Sequence, residues 1–133
     1  MNIIHLGSGE MLDHVSIGIT NREKSTAFYD AVLSTIGLKK VADYGETIAY
    51  GKSREDPFFW LVEHKDIGRA QGFHCAFRAP DRASIHAFHA AAVTNGGTDN
   101  GGPGKRDYEE NYYAAFVLDP DGNKIEAVCL KPE

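Results

Sequence analysis

Sliding the chain against itself by 60 positions, the separation of His14 from His74, lays Asn21 on Asp81, Arg22 on Arg82 and Ala27 on Ala87. The same ungapped register lays Phe28 on Phe88, Ala31 on Ala91 and Gly37 on Gly97. The paired residues also suit matching structural roles. Val15, Ile17 and Ile19 form the apolar face of an alternating strand whose other face carries His14, Ser16 and Gly18; Cys75, Phe77 and Ala79 do the same opposite His74, Ala76 and Arg78. Asn21 and Asp81 then stand where a helix N-cap belongs, because their short side chains can accept the unpaired N–H groups of a first turn. Phe28, Val32 and Ile36 recur at helical spacing, as do Ile85, Phe88 and Ala92, and Gly37 and Gly96-Gly97 stop the two helices.

Short strands are expected beyond each helix. In the first copy they are Leu38 to Asp43, Thr47 to Gly51 and Phe58 to Glu63. In the second, a turn-rich stretch from Thr98 to Tyr108 precedes Tyr112 to Leu118 and Lys124 to Leu130, with Asp119-Pro120-Asp121-Gly122 as the tight turn of a hairpin. The offset there becomes 66, setting Ala49 on Ala115, Tyr50 on Phe116, Leu61 on Ala127 and Val62 on Val128; the second copy therefore holds about six extra residues, in the glycine-rich loop Asn100 to Lys105.

Two βαβββ units imply an α+β fold in which paired modules form a curved mixed sheet, helices outside and a concave groove inside. A ferredoxin-like sandwich would also put helices on one face of a sheet, but it does not account for histidines at equivalent positions. The expected layout is an N-terminal extension over residues 1–11 and a single domain over 12–133, with one module at 12–66 and the other at 71–131. The 133 residues suffice to bury roughly two-thirds of the surface of the unfolded chain.

The 14 basic and 19 acidic residues give a net charge of -5, and the basic ones are scattered, which argues against nucleic acid as a partner. No apolar run approaches the roughly 20 residues of a membrane span, and no signal peptide opens the chain, so a cytoplasmic location is expected. Cys75 and Cys129 each lie inside an apolar run and are expected to be buried reduced thiols.

Asp13-His14-Val15-Ser16-Ile17, Ala27-Phe28-Tyr29, Gly72-Phe73-His74-Cys75-Ala76-Phe77 and, most specifically, the segment from Phe116 through Asp119-Pro120-Asp121-Gly122-Asn123-Lys124-Ile125 to Glu126 resemble the vicinal oxygen chelate superfamily. That superfamily comprises glyoxalases, bleomycin-resistance proteins and extradiol dioxygenases, and the resemblance runs from Leu12 to Lys131. It implies that the first and last strands of each module send metal ligands into the groove, which maps onto His14, His74 and Glu126 with a fourth position at residue 60. Two imidazoles and a carboxylate suit Fe(II), Mn(II) or Zn(II) and leave coordination positions for two neighbouring substrate oxygens.

Position 60 is Trp60, which cannot ligate through oxygen, and Glu63 lies three residues on, so a glyoxalase I site is disfavoured. Trp60 is instead an aromatic wall for a planar ligand or a filler of the core. The chain also lacks the C-terminal arginine expected of a fosfomycin-resistance thiol transferase. Extradiol cleavage adds an accessory histidine and tyrosine, for which Tyr112, Tyr113 and His64 are the available residues. Arg78 shares the face of His74 and could anchor a substrate carboxylate or phosphate, or form a salt bridge at the rim. The loop Gly101-Gly102-Pro103-Gly104-Lys105-Arg106 is not a phosphate loop, having no strand before a helix; a mobile lid and a plain surface connection remain open. His86 and His89 belong to the second helix, away from the groove. The expected function is a metal-dependent enzyme, of lyase or dioxygenase type, acting on a small molecule with vicinal oxygens; the alternative is a metal-free protein that sequesters a small molecule. A homodimer is expected from the resemblance, since grooves of this type are often completed across an interface.

Overall fold

Both expected strand–helix–strand units are present in a computed structural model, which describes residues 11–68 and 71–133; the first is βαβββ, and the second has one more short strand after its helix. Apart from Met11, the expected N-terminal extension lies outside the described residues. The first unit runs β1 (Val15–Ile19), α1 (Arg22–Ser34), β2 (Lys39–Asp43), β3 (Thr47–Gly51) and β4 (Pro57–Glu63). The second runs β5 (His74–Arg78), α2 (Arg82–Thr94), β6 (Thr98–Asp99), β7 (Gly104–Lys105), β8 (Tyr113–Leu118) and β9 (Lys124–Cys129). Among the described residues no helix is long and apolar enough to cross a membrane.

The helices start and stop for the reasons their sequences suggest. The Asn21 side chain accepts from the backbone N–H of Lys24 at 3.0 Å, and Asp81 accepts from the N–H of Ser84 at 2.8 Å. Gly37 and Gly96 take left-handed φ values of 90° and 96°, which lets Leu38 donate back to Leu33 and Gly97 back to Ala92. Arg22 ties the start of α1 to the end of β2 by donating to both carboxylate oxygens of Asp43. That pairing, with a bond from the Gly45 N–H, holds the Asp43 carboxyl down at about 2. Because the folded value lies below the ordinary one, this contribution to stability is present above the usual carboxylate range and disappears as pH falls through about 2. Asp43→Asn should therefore lower stability modestly at neutral pH, as expected for an exposed pair, and leave it unchanged near pH 2, flattening the acid limb of a stability-versus-pH curve read by urea unfolding.

Hydrogen bonding divides the strands into two mixed sheets, one per module, of order β1-β4-β3-β2 and β5-β9-β8-β6, with β7 also paired to β8. In each, the first strand runs parallel to the last and the remaining pairs are antiparallel. The ladders preserve the offsets of 60 and 66 for the outer pair, since Ser16 lies beside Trp60 where Ala76 lies beside Glu126. For β3 and β8 they do not. Ala49 faces Trp60 and Phe116 faces Glu126, so Ala49 corresponds to Phe116, not to Ala115 as the sequence match suggests. A one-residue slip turns every side chain to the other face. Tyr50 consequently enters the core while Phe116 stands on the outer face of its sheet.

The inner faces of both sheets and the apolar sides of both helices share one core, in which the Phe59 and Phe77 rings meet edge to face at 5.0 Å. Gly97 is required where α1 crosses the second module: a Cβ there would collide with the Phe28 ring and lie 2.8 Å from the Leu118 carbonyl. The tight turn between β8 and β9 forms as expected, with Gly122 at φ 87°, and it joins the modules as well. Buried Asp119 accepts from the Tyr29 hydroxyl of α1 at 2.6 Å, and from Asn123 Nδ2 and the N–H groups of Asp121 and Asn123 at 2.9 Å. Asp121 accepts from the Thr20 N–H at 3.0 Å, and Asn123 donates to the Gly18 carbonyl at 3.1 Å.

Candidate functional site on two outer sheet faces

Strand alternation places His74, Ala76 and Arg78 of β5, and Lys124, Glu126 and Val128 of β9, on the outer face of the second sheet. Ala76 and Glu126 are register partners, and His74 reaches diagonally so that its Nε2 lies 3.0 Å from Glu126 Oε1. The other Glu126 oxygen accepts the hydroxyl of Tyr112. Glu126 is 1% exposed, whereas the His74 side chain is 43% exposed, so the pair opens to solvent on the imidazole side. Burial, and secondly the Glu126 carboxylate, raises the Tyr112 hydroxyl above its ordinary range, which keeps it a proton donor to Glu126. A nitrogen and an oxygen 3.0 Å apart have the spacing of two adjacent ligands about 2.1 Å from one metal ion.

His14 occupies the equivalent place on the first sheet. Its Nδ1 lies 2.7 Å from Asp13 Oδ2, and with Trp60, Pro57, Glu55 and Asp56 it lines an open pocket of about 350 Å³. Trp60 is half-buried on the outer face, stacked on exposed Tyr44 with centroids 6.3 Å apart and planes 11° from parallel. It is thus a wall of the pocket, not a core filler. Glu63, the nearest acid, turns to the start of α1 and accepts from the Arg22 N–H at 3.0 Å.

His14 does not join His74 and Glu126 within one chain: no group of three or more histidine, cysteine or acidic side chains that could hold a metal occurs among the described residues. Parity assigned each side chain to the right face, but the two sheets turn their apolar faces to a common core, leaving the two outer faces apart.

The remaining residues separate. Of the adjacent tyrosines, Tyr112 meets Glu126, whereas the Tyr113 hydroxyl lies 2.7 Å from His86 Nε2 under the Arg82 guanidinium, beside α2. His64 is exposed just after β4, where a Cβ on Gly18 would come within 3.6 Å of its ring, at the far end of β1 from His14. Arg78 is exposed and forms no ion pair among the described residues. His89 bonds Asp99 at 2.8 Å. The glycine-rich loop is pinned to β8, since Gly101 accepts from the Phe116 N–H and β7 pairs with Ala114 and Tyr113, and Arg106 donates to the Gly102 and Gly104 carbonyls. In this structure it runs as a surface connection along the edge of β8. Both cysteines are free thiols; Cys129 is buried, and burial pushes the half-buried Cys75 thiol up to about 11.

Phe116 escaped the sequence reasoning. Its ring lies 6.3 Å from that of His74, with Lys124 Nζ 4.9 Å and Arg106 Cζ 5.4 Å from its centroid. The one available signal was alternation within Tyr112 to Leu118, which the apparent match of Tyr50 to Phe116 obscured.

The chain is 34% identical to a glyoxalase/bleomycin resistance protein from Albidiferax ferrireducens T118, with a TM-score of 0.78 over 92% of this chain and 99% of the other. Two further structures share the fold at lower identity. One is a glyoxalase/bleomycin resistance protein/dioxygenase family enzyme from Burkholderia phytofirmans PsJN, at 17% identity and TM-score 0.71 over 90% and 98% of the two chains. The other is the genomically encoded fosfomycin resistance protein FosX from Listeria monocytogenes, at 12% identity and TM-score 0.65 over 96% and 94%. No curated protein matches the chain. The family described as Glyoxalase/Bleomycin resistance protein/Dioxygenase superfamily matches residues 11–127, and the chain belongs to that superfamily.

Proposed function

We propose that the protein is a divalent-metal-dependent enzyme, of lyase or dioxygenase type, that acts on a small molecule with two neighbouring oxygens. In this reading it works as a homodimer in which His14 of one copy joins His74 and Glu126 of the other. The observation that carries it is the 3.0 Å approach of His74 to a Glu126 carboxylate that is buried and held from behind by Tyr112. A buried carboxylate lacking a fixed cation is costly, and a metal ion offsets that cost. A bound Fe(II), Mn(II) or Zn(II) supplies Lewis acidity toward the two substrate oxygens. Tyr112 fixes the orientation of Glu126, and Trp60 forms an apolar wall beside His14. With tryptophan at the fourth ligand position, the site differs from a glyoxalase I site. A second reading, metal-free sequestration of a planar ligand, draws on the Trp60–Tyr44 stack beside the open pocket.

Mixing variants separates a shared site from an intrachain one. His14→Ala and Glu126→Ala should each purify with little metal, while co-expression of the two should restore about a quarter of the wild-type content. Half of the dimers are then hybrids with one intact site of two. Wild-type protein without stoichiometric metal would defeat the metal reading, and a mixture as empty as its parents would defeat the shared site.

A further inference from the structure

We infer that the outer face of the second sheet binds an anionic group of the substrate, a carboxylate, phosphate or phosphonate, beside the His74–Glu126 pair. The inference rests on the reading of that pair as the centre of chemistry and narrows the class of molecule it takes. Lys124 is the register partner of His74, about 4.8 Å away along the ladder. Arg78 lies on the same face, four residues beyond His74, so the two cations flank the pair at opposite ends of the parallel strands. Arg106 overlies Phe116 on the neighbouring strand side, and Lys124 overlies the same ring.

Neither Arg78, Lys124 nor Arg106 forms an ion pair with a carboxylate among the described residues. In a chain of net charge -5, Lys124 and Arg106 on one ring, and Arg78 farther along the same face, are thus cations without an acidic partner. The acid in their midst, Glu126, has both oxygens engaged by Tyr112 and His74. Lys124 and Arg106 are also held in place by the Phe116 ring, and Arg106 by two loop carbonyls, so less side-chain freedom is lost when an anion arrives. Lys124 and Arg106 supply positive charge at held positions and exposed Arg78 adds a third cation beside the solvent-open His74, which is what recognition of a small anion with adjacent oxygens needs.

Calorimetric titration of the chelator-treated full-length protein with oxalate, and with oxamide as its uncharged analogue, tests this without any metal. Oxalate should bind and oxamide should bind at least about tenfold more weakly. Lys124→Gln and Arg78→Gln should each weaken oxalate about tenfold while leaving the manganese content of separately loaded protein unchanged. Absent oxalate binding, equal binding of oxamide, or unaltered affinity in both variants overturns the proposal. So does a shift in the monomer–dimer balance of the variants with oxalate affinity intact, since the cations would then serve a partner's carboxylates. Oxalate binding that follows the expected pattern in a protein that never takes up metal would instead defeat the metal reading and leave the anion site standing.

Discussion

Asp119→Ala is expected to lower the free energy of unfolding by about 4 kcal/mol, the largest loss from any single side chain outside the apolar core. Four donors converge on this carboxylate, and one of them, Tyr29, is itself fully buried in α1 of the other module. Truncation strands these donors, each at roughly 1–3 kcal/mol, with water entering the vacated space and recovering part of the loss. Asp119→Asn keeps the shape and one acceptor but turns an amide donor toward other donors, so it should lose about half as much. Urea unfolding should show a lower midpoint at unchanged slope. A midpoint within experimental error of wild type would show that the turn does not clasp the modules. Burial raises the Asp119 carboxyl above its ordinary value, against the pull of the four bonds it accepts. Its folded value therefore lies above the unfolded one, so its contribution is greatest at low pH and is lost as pH rises through the folded value, opposite in sign to that of Asp43.

Glu126→Ala should reduce divalent-metal affinity about a thousandfold, because it removes the one buried anionic ligand of the proposed set. Tyr112→Phe should cost about ten- to a hundredfold, the usual effect of losing a group that orients a ligand, and Tyr113→Phe should cost nothing. Competition against a fluorescent chelator reads all three. Equal effects of the two tyrosine changes would remove Tyr112 from its positioning role. Under metal-free sequestration, thermal stabilisation by a planar ligand should survive both chelator and Glu126→Ala.

Much of the architecture was legible in the sequence because its signals are local and occur twice. Asn21 and Asp81 cap helices, Gly37 and Gly96 end them, and the Asp119 to Gly122 turn forms, each through contacts within a few residues. Faces were legible wherever alternation was uninterrupted, as for His14, His74, Arg78 and Glu126. The match of Tyr50 to Phe116 failed because similarity of residue type cannot detect a one-residue shift between ladders, and only the cross-strand pairing of Phe116 with Glu126 reveals it. β7 was missed because Gly104–Lys105 has no periodicity of its own and is a strand only through its bonds to β8.

By itself the sequence determined two units that each open with a strand and a helix and close with a hairpin, the tryptophan at residue 60, and the side of each strand on which His74, Arg78 and Glu126 stand. Tertiary structure decided which tyrosine serves Glu126, that Asp119 binds one module to the other, and that His14 stands apart from His74 and Glu126 within a chain. The division follows from range. Caps, turns and alternation depend on neighbours in sequence, whereas the packing of two sheets on one core depends on apolar contacts such as Phe59 with Phe77 that no local pattern encodes.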